Sequence, residues 1–272
     1  MSSIIRWAWL AAVPGLAAAE PCETSSAPPF AVGERLDYSV SLGPIRAGTG
    51  SIEVVRRDTV RGREAWHTRF HVRGGVPFYK VDDTLESWID VACFRSLRYV
   101  RTLDERGRRR ERRFEMFPER ATFSEDGKPE APSVSDPLDD GAFFHFVRTQ
   151  ELVVGRTYEY RRYFRPDRNP VVVRVLGRER VTVPAGTFDA IVIQPVIQTR
   201  GIFSQKGDAR IWLTDDGDRL LVKVTARLAF GTLTLSLTSY RPGCDAAAAA
   251  VAAEGAAPRG PAESPPAECT TR

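Results

Sequence analysis

Apolar and polar residues alternate with a period of two along much of this chain. Leu36, Tyr38, Val40 and Leu42 fall on one side of a run; Asp37, Ser39 and Ser41 fall on the other. Trp66, Thr68, Phe70 and Val72 oppose His67, Arg69, His71 and Arg73 in the same way. Near the end, Val222, Val224, Ala226, Leu228 and Phe230 oppose Lys223, Thr225 and Arg227, and Leu233, Leu235 and Leu237 oppose Thr232, Thr234, Ser236 and Thr238. Strands of this kind bury one face and wet the other, which is the habit of antiparallel sheets. Turn signals at Arg106-Gly107, Asp126-Gly127, Asp167 to Pro170, Pro184 to Gly186 and Asp215 to Asp218 separate the runs. The pattern predicts a mainly β protein with about eleven or twelve strands. Arg180 to Val196, "RVTVPAGTFDAIVIQPV", reads as a hairpin about the Pro184-Ala185-Gly186 step. Its strands are apolar on both sides, so a position covered on each face is expected.

One helix is predicted near residues 137–149. Asp136 is placed to cap it, Pro137 suits its first position, and Asp139 and Asp140 favour its positive end. Leu138, Ala142, Phe143 and Phe146 make an apolar stripe at helical spacing, and Arg148 closes the last turn. Such a helix can plug one face or the mouth of a curled sheet.

The ends change the picture. Arg6 precedes an apolar run from Trp7 to Leu16, followed by Ala17-Ala18-Ala19. The run is short of the roughly 20 residues a bilayer span needs, so residues 1–19 read as a cleaved signal peptide. Residues 243–272 are rich in Ala, Pro, Gly and Glu and read as a disordered tail. Residues 30–242 remain as a single β-rich domain, exported to the periplasm or beyond, with no transmembrane segment after cleavage. An oxidising compartment makes disulfides among Cys22, Cys93, Cys244 and Cys269 plausible. Four cysteines leave three connectivities open. Cys22 with Cys244 would tie the ends of the domain together, and Cys93 reads as a buried thiol or as the partner of either. No CxxC spacing supports zinc or redox chemistry.

Several motifs, taken in order, resemble a known family. They are "FAVGERLDYSVSLGPIRAGTGSIEV", "FYKVDDTLESWID", "DPLDDGAFFHFVR", "GRERVTVPAGTFDAIVIQP" and "KGDARIWLTDDGDRLLVKVTARLAFGTLTLSL". Across Phe30 to Tyr240 the chain is similar to the exported bacterial family DUF3108. The resemblance implies one large, strongly curved antiparallel sheet, a half-barrel or open barrel, and no settled activity. The Arg-rich run at 108–113 is not among the features that carry it.

Candidate chemistry is thin. There is no G-x-S-x-G elbow, no H-E-x-x-H and no phosphate-binding glycine loop, so no catalytic residue, metal ligand or cofactor is assigned. Asp82-Asp83, Asp139-Asp140 and Asp215-Asp216 are adjacent acids, and neighbours on a strand point to opposite faces. "TDDGD" lacks the spacing of a calcium loop and reads as a turn. His145 is placed on the helix flank with no role of its own. His67, Arg69, His71 and Arg73 share one strand face, and read either as a plain solvated surface or as an anion-binding strip. The net charge is +4, but ten arginines and five acids crowd residues 95–120. Export argues against nucleic acid, leaving acidic lipid or glycan, or simply a charged hairpin edge that resists pairing. The strand aromatics Trp66, Phe70, Trp88, Trp212 and Phe230 are the candidate lining of an apolar groove on the concave face. The resulting expectation is a non-enzymatic exported protein that binds a lipid or other envelope amphiphile there. The alternative is a structural or assembly module with an envelope protein as partner.

Overall fold

The computed structural model describes residues 28–76, 79–105, 108–197, 208–228 and 231–244. The proposed signal peptide, almost all of the Ala/Pro-rich tail, Cys22, Cys269 and Phe230 lie outside the described residues. The first meander is β1 (Arg35–Leu42), β2 (Ile45–Val60), β3 (Arg63–Val76), β4 (Tyr79–Asp90), β5 (Ser96–Glu105), β6 (Arg108–Phe117), β7 (Thr122–Glu125) and β8 (Ala131–Pro132). A helix, α1 (Ala142–Phe146), follows. The second meander is β9 (Thr157–Tyr160), β10 (Val171–Val183), β11 (Gly186–Val196), β12 (Arg210–Thr214), β13 (Leu221–Leu228) and β14 (Gly231–Arg241).

The fourteen strands among the described residues form one antiparallel sheet in the order β8-β7-β6-β5-β4-β3-β2-β1-β14-β13-β12-β11-β10-β9. β1 joins the two meanders by pairing with both β2 and β14. The sheet is curled but open, with β8 and β9 as its edges. The count exceeds the expected eleven or twelve. β7, β8 and β9 hold only 4, 2 and 4 residues, too few to display a period.

The concave face is the apolar face of the alternating runs. Leu36, Tyr38, Ile52, Val54, Trp66, Val222, Val224, Leu235 and Leu237 are buried in one core. The chain between the two edge strands, together with Phe30 from the segment before β1, fills this space. Phe144 stacks on Phe70 at 5.2 Å, Phe146 meets Tyr160 edge-on at 5.0 Å, and Phe30 meets Trp66 edge-on at 5.4 Å. Each such aromatic contributes about 1.5–3 kcal/mol by leaving water. Beside Phe143 and Phe146 a void of only about 10 Å³ remains, room for one water at most.

The helix begins later than the sequence suggests. α1 starts at Ala142 and continues as a 3-10 turn over Val147–Thr149. The cap is Asp139, not Asp136: its Oδ1 accepts the Gly141 and Ala142 N–H groups at 2.8 and 2.9 Å. Residues 136–138 cannot coil because their backbone is engaged elsewhere. The Pro137 carbonyl accepts the Ser96 N–H, and Leu138 exchanges backbone bonds with Arg162 and Phe164.

The Pro184-Ala185-Gly186 step does reverse a hairpin, with Val183 opposite Gly186. Gly186 has a φ of +143°, which favours glycine. The turn is also anchored, since the Ala185 N–H donates to the Leu237 carbonyl of β14 at 3.0 Å. In β11, Ala190, Ile191, Val192 and Ile193 are all buried, so both faces are covered there. β10 instead alternates, with Val181 and Val183 buried and Thr182 between them exposed, so only one of the two hairpin strands is covered on each face. Cys93 and Cys244 each take part in a disulfide, so Cys93 is not a free thiol.

Candidate functional site

The concave face is not filled everywhere. Towards the far end of β5 and β6, Tyr99 stands opposite Phe114, Arg101 opposite Arg112, and Leu103 opposite Arg110. Cross-strand partners share a face, so all six project inward. The segment Tyr163–Arg168, which precedes β10, forms the facing wall. Between them lies a cleft of about 270 Å³ lined by Tyr99, Arg101, Leu103, Arg110, Arg112 and Phe114, and by Asp140, Tyr163, Phe164, Arg165 and Arg168.

Its floor is aromatic. Phe164 lies 5.2 Å from Phe114 and 5.3 Å from Phe123, and Tyr99 stacks with Phe114 at 5.6 Å. Its walls are cationic, with five arginines against one acid. The Arg165 guanidinium caps the rings of Phe114, Phe123 and Phe164 at about 5.5 Å. Glu125, on β7 just outside the lining, accepts from Arg112 at 3.0 Å and from Arg165 at 2.9 Å. Arg168 donates to the Tyr163 hydroxyl at 3.4 Å. Arg101 and Arg110 have no carboxylate within ion-pair reach among the described residues.

The single acid is already occupied. Asp140 accepts the Tyr99 hydroxyl at 3.1 Å and the Tyr163 hydroxyl at 3.0 Å, one on each oxygen. Burial, with the Asp140 charge beside them, pushes both phenols well above their ordinary range. They remain neutral donors. The neighbouring Asp139 points away, into the core. It accepts the Ser87 hydroxyl at 2.5 Å and the Ser96 hydroxyl at 2.6 Å, in addition to the two helix N–H groups. Burial pushes its carboxyl up to about 6, against the pull of the two serines and the Ala142 N–H.

The residues singled out in the sequence do not gather here. Trp66 and Phe70 face the packed interior. Trp88 and Trp212 lie on the convex side. Trp88 stacks on His67 at 4.3 Å and donates to Asp58, while Trp212 donates to Glu179 beneath Lys223. On the convex strip each cationic or imidazole group already has a carboxylate. His67 and Arg69 meet Glu86 at 3.0 and 3.2 Å, and His71 and Arg73 meet Asp82 at 2.7 and 3.7 Å. His145 is not on a flank but buried against Phe30, whose ring lies 5.0 Å away.

The cleft arginines were visible only as composition. The alternation that phases the rest of the sheet also phases this run: Phe114 and Met116 are buried, so Arg112 and Arg110 share their face, while Arg109, Glu111 and Arg113 point the other way. Among the described residues no group of three or more His, Cys, Asp or Glu is arranged to hold a metal ion. No helix among them is long and apolar enough to cross a membrane.

No curated protein matches the sequence. A solved β-barrel-like protein of the DUF1849 domain from Brucella abortus overlaps with a TM-score of 0.51 at 12% identity, covering 79% of this chain and 99% of its own. That likeness concerns fold alone. A candidate lipoprotein from Parabacteroides distasonis (13% identity, 81% and 99% of the two chains) and a candidate exported protein with a YmcC-like fold from Bacteroides fragilis (10%, 80% and 99%) overlap only at TM-scores of 0.31 and 0.32. Residues 37–238 match the family described as "Protein of unknown function (DUF3108)", and the chain belongs to that family.

Proposed function

We propose that this is an exported, non-enzymatic binding protein that holds an amphiphile at the open end of its concave face. The observation that carries the reading is the cleft of about 270 Å³ between β5–β6 and the Tyr163–Arg168 segment. A ligand site is typically concave, with apolar walls and a few convergent polar groups. Here the floor of Tyr99, Phe114 and Phe164 supplies the apolar surface and the arginines supply the polar rim. The signal-like N-terminus supports export. The titratable groups argue for binding rather than catalysis: Asp140 has both oxygens occupied by phenols, and Asp139 and His145 are sealed in the core.

The test is saturable displacement of the neutral probe N-phenyl-1-naphthylamine by single-chain amphiphiles below their micelle concentration. Competition that is lost when Leu103→Trp fills the cleft supports the reading. Absence of saturable probe and amphiphile binding to the folded protein would overturn it.

A further inference from the structure

We infer that the head of the bound amphiphile is an oxyanion, seated between Arg101 and Arg110. This rests on the proposed function above and names its ligand class. The five cleft arginines are not equivalent. Arg112 and Arg165 share the Glu125 carboxylate, and Arg168 turns to the Tyr163 hydroxyl. Arg101 and Arg110 have no carboxylate within ion-pair reach among the described residues, yet both project into the cleft.

Their placement has an electrostatic cost. Arg101 stands directly across the ladder from Arg112, and Arg110 is the next inward residue on that strand. Like charges opposed across a ladder destabilise a sheet. Outward positions on the same two strands are treated differently: Arg98 pairs with Glu115, and Thr102 bonds to Glu111. Carboxylates therefore accompany the convex arginines, while the concave side keeps a surplus of cations above an aromatic floor. An anion entering the cleft would relieve the repulsion and accept from two guanidinium forks at once. The ring floor would take an acyl or other apolar body attached to that anion. Phosphate, sulfate and carboxylate heads share this chemistry, and Asp140 disfavours a deeper seat for the charge.

The experiment compares dodecyl phosphate, dodecyl maltoside and inorganic phosphate by calorimetric titration of the mature protein, at low and at about 300 mM salt. Dodecyl phosphate is expected to bind about tenfold or more tighter than dodecyl maltoside. It should also bind tighter than inorganic phosphate and weaken with salt. The double substitution Arg101→Gln/Arg110→Gln should bring dodecyl phosphate to the level of the maltoside and leave the maltoside unchanged. Arg109→Gln, on the outward face of β6, should change neither and controls for net charge. Equal binding of the two dodecyl compounds would overturn the anionic head while leaving the amphiphile reading standing. Binding of inorganic phosphate as tight as dodecyl phosphate would support the anion seat and overturn the amphiphile. Binding of none of the three by the folded protein would overturn both.

Discussion

The Arg148 guanidinium grips the Glu34 carboxylate with both terminal nitrogens, Nη1 to Oε1 at 2.6 Å and Nη2 to Oε2 at 3.0 Å. Both side chains are 2% exposed. Nη2 also donates to the carbonyls of Pro29 and Asp218. One side chain at the end of the inner helical segment thus ties together the entry to β1, the turn between β12 and β13, and the plug of the curled sheet.

Removing one partner leaves an uncompensated charge in the core. Arg148→Met alone, or Glu34→Gln alone, is expected to cost about 3–5 kcal/mol, read as a fall in the urea midpoint. The double substitution Glu34→Leu/Arg148→Met should be clearly more stable than the sum of the single losses, because no buried charge remains. Additive single effects would mean that the two groups do not act as a pair.

Asp139 gives a pH dependence of unusual sign. Its native carboxyl titrates at about 6, because burial outweighs the hydrogen bonds it accepts, whereas an unfolded Asp titrates near 3.9. Between those values the native state binds more protons than the unfolded one. Stability from this group is present at the acid end and is lost as pH rises towards 6, at up to about 1.4 kcal/mol per pH unit. Denaturation of the parent and of Asp139→Asn across pH 4 to 7 should show the parent losing ground as pH rises. A constant difference between them would refute the assignment.

His145 acts in the opposite direction. Burial, helped by the Arg148 charge, pushes its imidazole down to about 3, and an unfolded His titrates near 6.5. Its neutral form is what fits the core, so its contribution is present above pH 6.5 and is lost as pH falls towards 3. His145→Phe keeps a ring against Phe30 and removes the titration. It should flatten the acid loss of stability between pH 6.5 and 4, measured as the midpoint in urea at each pH.

Gly48 and Gly74 mark a place where β2 and β3 come too close for a side chain. A Cβ on Gly48 would lie 2.2 Å from the Arg73 carbonyl oxygen, and one on Gly74 would lie 2.1 Å from that of Ala47. Neither neighbour can rotate away, since both are backbone. Gly48→Ala should cost roughly 2–3 kcal/mol, or about 5–10 °C in Tm for a domain of this size. Gly217 has open space around it, so Gly217→Ala should leave Tm within about 2 °C.

The strand faces were legible because alternation is local: Leu36 to Val40 or Leu233 to Leu237 carries its own phase. What the sequence alone could not show depends on partners far along the chain. Asp139 displaces Asp136 as the helix cap because Ser87 and Ser96, some 43 to 52 residues away, hold it in place. The cleft required the register of β5 against β6, and then the return of residues 163–168 across the open edge. The Arg-rich run carried a usable signal, the phase set by Phe114 and Met116, but composition alone hid it. Trp66 and Trp88 looked alike in the sequence and differ only in the face they occupy.

Glu125 offers a last test, because its effects on stability and on binding should run in opposite directions. It sits opposite Phe114 in the ladder between β6 and β7 and bridges Arg112 of the sheet to Arg165 of the facing wall. Glu125→Gln removes the charge while keeping the shape. The two partly exposed ion pairs should cost about 1–2 kcal/mol together, seen as a modest drop in Tm. The same change frees two guanidinium groups beside Arg101 and Arg110, so the cleft becomes more cationic without changing its lining. Affinity for dodecyl phosphate should rise severalfold, more at low salt than at high, while affinity for dodecyl maltoside should not. If Glu125 served only to hold the wall in place, its loss would lower both affinities along with Tm.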